Sequence, residues 1–229
     1  GAYLYEAGVT PDRTVTATLL TGGQSNPTYR LQSGAQHFVL RKKPSGDLLP
    51  SAHAIDREYR VMKALQSSAV PVPPMLIYCE DDSLIGTPFY AMPFLEGRVL
   101  FDQTLPGMSR EQRTQVYADM NRAIAELHRV DPQAVGLADF GKAGNYFGRQ
   151  IRRWSQQYQQ NHTERIAALE QLIDWLPEHI PHGDITTIVH GDYRLDNVML
   201  HPTEPRVIAV LDWELSTLGH PLADFSYHC

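Results

Sequence analysis

The sequence predicts an α+β fold in two parts, a β-rich part of residues 1–95 and a mainly helical part of residues 96–229. Three observations predict it. Short β-prone runs separated by Gly- and Pro-containing turns fill most of the first hundred residues. Segments with apolar residues at helical spacing begin after Gly97, and the last fifty residues return to short apolar strands. A cleft between two such parts is a natural ligand site.

The elements follow in order. Alternating runs at 14–20, 28–32 and 37–42 read as strands, with turns at Gly22–Gly23 and Ser33–Gly34. From Ser51 to Leu65, Ile55, Val61, Met62 and Leu65 suit one face of an amphipathic helix. Pro71, Pro73 and Pro74 then block both helix and central strand. Two further strands are expected near 75–79 and 88–95, joined by the acidic turn Glu80-Asp81-Asp82, which completes a five-stranded antiparallel sheet with one helix. In the second part, Ser109 and Gln112 form a capping box ahead of a helix reaching about Arg129, with Val116, Met120, Ile124 and Leu127 on one face. Helices near 145–160 and 163–176 follow, closed by Pro177 and Pro181, and short strands are expected at Thr187–His190, Val198–Leu200 and Val207–Asp212.

The bulk composition excludes several classes. A net charge of −6 argues against nucleic acid as the main partner. No stretch approaches the roughly eighteen uncharged apolar residues of a membrane helix, and Tyr3, Tyr5, Glu6 and Pro11 interrupt any signal-like start. Cys79 and Cys229 offer neither metal spacing nor a disulfide framework, so free thiols in a reducing cytoplasm are expected. The oligomeric state is not legible.

The chemistry concentrates in Val189-His190-Gly191-Asp192-Tyr193-Arg194-Leu195-Asp196-Asn197 and in Val210-Leu211-Asp212-Trp213-Glu214. An Asp is followed five residues later by an Asn, and fifteen further by an Asp at the end of an apolar strand. Phosphoryl transfer needs a carboxylate near the acceptor hydroxyl and oxygen ligands for Mg²⁺. The trio could supply all three at one cleft. It matches the H-R-D-x-x-x-x-N and D-F-G of protein kinases, with Gly and Trp as replacements. A second His-Gly-Asp, His182-Gly183-Asp184, has Val189 where the Asn should stand, and reads as a surface turn.

With these motifs the chain resembles the aminoglycoside phosphotransferase family, kinase-like enzymes that phosphorylate small molecules. Within it, the chain is most similar to the branch found alone or fused to acyl-CoA dehydrogenases. Gly22 to Tyr29, Val39 to Pro44, Asp56 to Arg60 and Asp212 to Gly219 carry that closer likeness. The resemblance implies a protein-kinase-like two-lobe fold, with ATP or GTP and Mg²⁺ as cofactors and the hydroxyl of a small molecule as phosphate acceptor. Asp192 would be the catalytic base, and Asn197 and Asp212 the Mg²⁺ ligands. His190 would brace their loop. Gly22, Gly23, Ser25 and Asn26 would lie over the phosphates. Arg41 stands where kinases place a strand lysine, and Glu58 on the following helix is its expected ion-pair partner, although a solvated helical Glu is the plain alternative. Met92, Pro93 and Leu95 match the nucleotide-binding hinge: Pro93 keeps its carbonyl and Leu95 its N–H.

The acceptor is less defined by the sequence. Arg149, Arg152 and Arg153, beside Tyr146 and Trp154, could take an anionic group or simply form a basic helix face. Asp102, Asp119 and Glu126 could suggest a pocket for an amine or only solvated helix charges. Similarity to the dehydrogenase-fused branch favours a hydroxyacyl-CoA or hydroxy acid over an antibiotic. Asp224 matches a family Asp that braces the loop after the metal site, and the helical part is expected to be incomplete at its C-terminus. Arg41 in place of Lys keeps open the alternative of a silent pseudokinase module that binds nucleotide or a partner without turnover.

Overall fold

The computed structural model describes residues 1–20, 26–44 and 54–228. A short helix α1 (Ala2–Glu6) precedes strands β1 (Thr16–Leu19), β2 (Thr28–Ser33) and β3 (Gln36–Lys42). Helix α2 (Ile55–Leu65) and strands β4 (Ile77–Cys79) and β5 (Phe89–Pro93) complete this part. Among the described residues the sheet is five-stranded, in the order β1-β2-β3-β5-β4, and antiparallel throughout. Strand β3 lies at its centre, with Arg41 opposite Thr28 on one side and Tyr90 on the other.

Helix α2 buries Ile55, Glu58, Met62 and Leu65, spaced as one helical stripe, together with Val61. Each fully buried aliphatic of that face contributes about 1.5–3 kcal/mol. Its partners include β5 Tyr90 and residues of the helical part, so one hydrophobic core runs from the sheet across the cleft. Polar contacts follow the same path. Arg57 donates to the Phe140 carbonyl at 2.7 Å and the Ser216 carbonyl at 3.2 Å, Arg60 pairs with Asp139, and the Val210 N–H donates to the Pro71 carbonyl at 2.8 Å.

The helical part opens with β6 (Arg98–Val99) and continues with α3 (Arg110–Arg129), α4 (Tyr146–Asn161) and α5 (Ala167–Trp175). The expected capping box forms: Ser109 Oγ accepts from the Gln112 N–H at 3.2 Å, and Gln112 Oε1 accepts from the Ser109 N–H at 2.8 Å. After α5 come β7 (Thr187–Val189), β8 (Val198–Leu200), β9 (Val207–Val210), β10 (Thr217–Gly219) and α6 (Leu222–His228). They make a β6-β8-β9 sheet and a β10-β7 ladder.

The motif-bearing loops run between these short strands. Gly97 allows β6 to approach β8, since a Cβ there would meet Met199 Sδ at 2.6 Å and the Leu200 carbonyl at 2.8 Å. No helix among the described residues is long and apolar enough to cross a membrane.

Candidate active site

The centre of the β-rich part is charged. Arg41 leaves β3 and brings Nε to 3.1 Å from Glu58 Oε2 and Nη2 to 2.8 Å from Asp212 Oδ1. Glu58 is only 1% exposed and also accepts from Asn26 Nδ2 at 2.7 Å and from the Tyr90 hydroxyl at 3.0 Å. Burial pushes its carboxyl up, and Arg41 and Tyr90 pull it back. The Asp212 and Glu214 charges add to the burial effect, so the Glu58 carboxyl lies above its ordinary value even with these donors on its two oxygens. Burial opposes the Arg41 charge as well, but Glu58, Tyr90 and Asp212 outweigh it and hold the guanidinium above its ordinary value. The solvated alternative for Glu58 is therefore excluded. Asn26 is buried beside Glu58, while Gly22, Gly23 and Ser25 lie outside the described residues.

The Asp192 loop follows β7. His190 is fully buried, donates from Nε2 to the Leu211 carbonyl at 2.8 Å, and accepts the Asp192 N–H on Nδ1 at 3.2 Å. Those roles require the neutral ring, and burial lowers its pKa despite the nearby Asp224. Gly191 has φ +87°, and a Cβ there would stand 2.7 Å from the Leu215 carbonyl, so this position of the motif admits Gly and not Arg. Asp224 holds the loop from α6, accepting the His190 and Gly191 N–H groups at 2.7 Å each. It thus braces the loop carrying Asp192 and not, as the resemblance implied, the one after Asp212. His128 Nε2 stands 3.0 Å from the same carboxylate.

Asn197 closes the loop in a 3-10 turn (Leu195–Asn197), donating Nδ2 to the Asp192 carbonyl at 2.8 Å and to Asp192 Oδ2 at 2.7 Å. This leaves Asn197 Oδ1 as a hard oxygen ligand. The Leu211 N–H donates to the Asn197 carbonyl at 2.8 Å, tying the loop to the segment that ends in Asp212. Asp212 is left-handed (φ 61°, ψ 64°), an uncommon conformation for a non-glycine residue that turns its carboxylate towards Arg41. Carboxylate oxygens of Glu58, Asp212 and Glu214 lie within 4.8 Å of one another. Oxygen donors of this kind suit Mg²⁺.

Between sheet and helical part lies a cavity of about 170 Å³ lined by Val39, Met62, Met92, Leu95, Met199 and Leu211, with Arg41 and Asp212 at its polar end. Met92, Pro93 and Leu95, which the resemblance matched to a hinge, all border it. The Phe94 N–H donates to the His37 carbonyl at 3.1 Å, so Leu95 carries the next N–H that a ligand could meet. A mostly apolar slot ending in an arginine and a carboxylate has the character of a nucleotide site.

The sequence profile of the phosphotransferase enzyme family matches residues 16–229. The chain belongs to that family. It is 54% identical over 207 residues to acyl-CoA dehydrogenase family member 10 of Mus musculus, covering 90% of this chain and 19% of that protein. It is 47% identical over 221 residues to acyl-CoA dehydrogenase family member 11 of Homo sapiens, covering 96% and 28%. The chain thus spans about a fifth to a quarter of the length of these curated relatives. A solved structure of a candidate aminoglycoside phosphotransferase from Ralstonia eutropha superposes with TM-score 0.91 at 55% identity, covering all of this chain and 67% of that one. A macrolide 2′-phosphotransferase from Brachybacterium faecium, 21% identical, shares the fold with TM-score 0.68 over 99% of this chain and 74% of that one. The protein-kinase-like fold expected from the sequence is the fold of the family.

Two side chains beside Asp192 escaped the sequence reading. Arg194 brings Nε to 3.5 Å from Asp192 Oδ1 and Nη2 to 2.9 Å from Asp196 Oδ2. Tyr227, on α6, has its phenol held above the ordinary pKa chiefly by the charge of Asp192. Arg194 stood inside the motif but has no counterpart in the trio's spacing logic, and Tyr227 is visible only as the residue one helical turn after Asp224. Both border a cavity of about 440 Å³ together with Gln103, Tyr117, Asn121 and His228.

Other sequence candidates have structural tasks. Asp184 of the second His-Gly-Asp accepts the Asn145 N–H at the start of α4. Asp119 binds Arg122 and the Val207 N–H, and Asp102 caps its own turn at Thr104. Arg149 donates to the Lys142 carbonyl, and Arg153 lies over the Trp154 ring. A further cavity, about 710 Å³ between α4 and α5, is lined by Trp154, Ile166, Leu172 and neighbours, and none of the trio borders it.

Proposed function

We propose that the chain is an Mg²⁺-dependent kinase unit that moves the γ-phosphoryl group of ATP, or of GTP, to the hydroxyl of a small molecule. The observation that carries this reading is the connected set Glu58–Arg41–Asp212 and Leu211–Asn197–Asp192, joined by direct contacts of 3.1, 2.8, 2.8 and 2.7 Å. It links a positive charge for phosphate and a carboxylate for a cation, both at the polar end of the apolar slot, to a base for the acceptor. Nucleotide binding gains support from a 17%-identical relative of the same fold, a thermostable mutant of an aminoglycoside phosphotransferase solved with ADP and hygromycin B.

In this reading Asp192 accepts the proton as the acceptor oxygen bonds to the γ-phosphorus and the β–γ bridging oxygen departs with the nucleoside diphosphate. Asn197 Nδ2 keeps the Asp192 carboxylate aimed, while Asn197 Oδ1 and the Asp212 carboxylate would hold Mg²⁺, whose charge would offset that of the phosphates. Arg41, held extended by Glu58, offers guanidinium N–H groups to phosphate oxygens. Arg41 in the place of Lys, the feature that kept a silent module open, makes the ion pair its position calls for and so favours the kinase.

The cavity bordered by Arg194, the ion-pair partner of Asp192, supports an acceptor class. Its lining has a guanidinium, amides and aromatic rings and no carboxylate. That suits an uncharged or anionic hydroxylated acceptor, such as a hydroxy acid or hydroxyacyl-CoA, better than a polycationic aminoglycoside. The acyl-CoA dehydrogenase names of the curated relatives agree with it. Incubation with Mg-ATP and a panel of hydroxyacyl-CoAs, free hydroxy acids, amino alcohols and aminoglycosides, with product detected by mass spectrometry, tests the assignment. Phosphorylation among the first two groups supports it; phosphorylation of aminoglycosides alone, or of nothing, refutes it.

A further inference from the structure

We infer that Arg57 is a positioning residue for phosphoryl transfer: it clamps α2 to the segment that follows Asp212, and so sets where Glu58 holds Arg41 relative to that carboxylate. The inference rests on the kinase reading above and adds to it a residue that does not line the apolar slot and acts through its neighbours.

Three observations carry it. First, Arg57 and Glu58 are consecutive on α2 yet serve different parts of the molecule. Glu58 meets the sheet, taking Arg41 Nε at 3.1 Å and the Tyr90 hydroxyl at 3.0 Å. Arg57 meets the helical part, where Nη2 donates to the Phe140 carbonyl at 2.7 Å and to the Ser216 carbonyl at 3.2 Å. Its guanidinium carbon also lies 4.1 Å from the centre of the Phe140 ring. Second, the Ser216 carbonyl belongs to the segment that carries Asp212. A 3-10 turn, Trp213–Leu215, follows Asp212 directly, and the Ser216 N–H closes it on the Trp213 carbonyl at 3.0 Å. The buried Ser216 hydroxyl donates to the Val189 carbonyl at 2.8 Å, one residue before His190. Ser216 therefore ties α2, the Asp212 segment and the strand leading into the Asp192 loop at one point. Third, Arg57 is the stronger of two arginine anchors on α2. Arg60, one turn on, pairs with Asp139, but both side chains are exposed and such a pair contributes little. Arg57 is partly buried, and both its acceptors are backbone carbonyls.

The consequence lies in how the cleft is bridged. Arg41 stands on β3 and Asp212 on the helical part, and their contact at 2.8 Å joins the two. Glu58 aims the guanidinium, and Arg57 refers Glu58 to the Asp212 segment as well as to the sheet. Loosening Arg57 misplaces Arg41 with respect to phosphate and leaves the apolar slot as it is. A guanidinium stays charged at every physiological pH, so the clamp does not release by titration.

The test separates the phosphate end of a nucleotide from its base. Adenosine and Mg·AMP-PNP (guanosine and Mg·GMP-PNP for a guanine-selective enzyme) are titrated calorimetrically into the whole chain as wild type, Arg57→Gln and Arg57→Lys, with melting temperature as the control of folding. Affinity for Mg·AMP-PNP is expected to fall about tenfold in R57Q and about threefold in R57K, whose ammonium can meet a carbonyl but lacks the planar fork. Adenosine affinity should stay within about twofold, whereas a merely structural role would weaken both ligands alike. R57K keeps the charge and a donor, so it decides the matter if R57Q does not fold. In an Arg41→Lys background, which lacks the fork that Glu58 aims, R57K should cost less than it does in wild type. Equal losses for both ligands, no loss for Mg·AMP-PNP in the folded variants, or a cost undiminished by Arg41→Lys overturns the inference and leaves the kinase reading standing. A wild type that binds neither ligand overturns the nucleotide site and the inference with it.

Discussion

Arg41 reaches across the cleft to Asp212 at 2.8 Å while Glu58 holds its other edge at 3.1 Å, so one guanidinium links the sheet, α2 and the segment after β9. Removing it has two separable effects. Arg41→Met leaves Glu58 buried without its cation and is expected to cost about 3–5 kcal/mol of stability, read by urea denaturation. Arg41→Lys keeps a charge but not the fork, and should retain most of the stability while kcat/KM for nucleotide falls about tenfold or more.

Asp224 predicts a stability effect at a distance from the reacting atoms. Its carboxylate is the acceptor for two backbone N–H groups of the Asp192 loop. Asp224→Ala strands those buried donors and should lower the melting temperature and kcat together, with a loss of several kcal/mol. Asp224→Asn retains one acceptor oxygen and should fall between Ala and wild type in a thermal melt.

His190 sets a pH dependence. Burial depresses its folded-state pKa below the ordinary 6.5, so the unfolded chain binds the proton more readily than the folded one. Its contribution to stability is therefore complete above about pH 6.5 and is lost as the pH falls below that towards the depressed value. Thermal melts of the metal-free protein between pH 7.5 and 5 should show falling stability, and His190→Gln, which does not titrate, should flatten that slope. An equally steep slope in the variant would contradict this account of His190.

Leu95 tests the nucleotide slot. If its N–H meets the base, Leu95→Pro should weaken nucleotide binding about tenfold, the effect of one hydrogen bond, while the melting temperature changes little. Isothermal titration with an ATP analogue reads it directly.

Much of this was legible in the sequence because it depended on local pattern. The period-2 runs, the Ser109–Gln112 box and the spacing of Asp192, Asn197 and Asp212 each carry their own signal, and the strands, helix and connected site follow. Elements too short to show a period were not legible: α1, β6, β10 and α6 each run seven residues or fewer and form because neighbours pair with or bury them. The target of Asp224 was missed for a related reason. A carboxylate that accepts backbone N–H groups from a loop more than thirty residues earlier leaves no mark in the spacing of side-chain types. The place of Tyr227 in the cavity that Arg194 borders likewise depends on how α6 folds back, and the Arg194 contact with Asp192 depends on the turn of their loop.

The central claim is that Asp192 acts on the acceptor and not on nucleotide binding. The direct measurement compares wild type with Asp192→Asn, using Mg-ATP and the acceptor that gives the fastest turnover in the panel. The kcat should fall by about 10²–10⁴, the range for losing a general base, while the dissociation constant for nucleotide stays within a few-fold. Turnover that survives the substitution at close to the wild-type rate would contradict it.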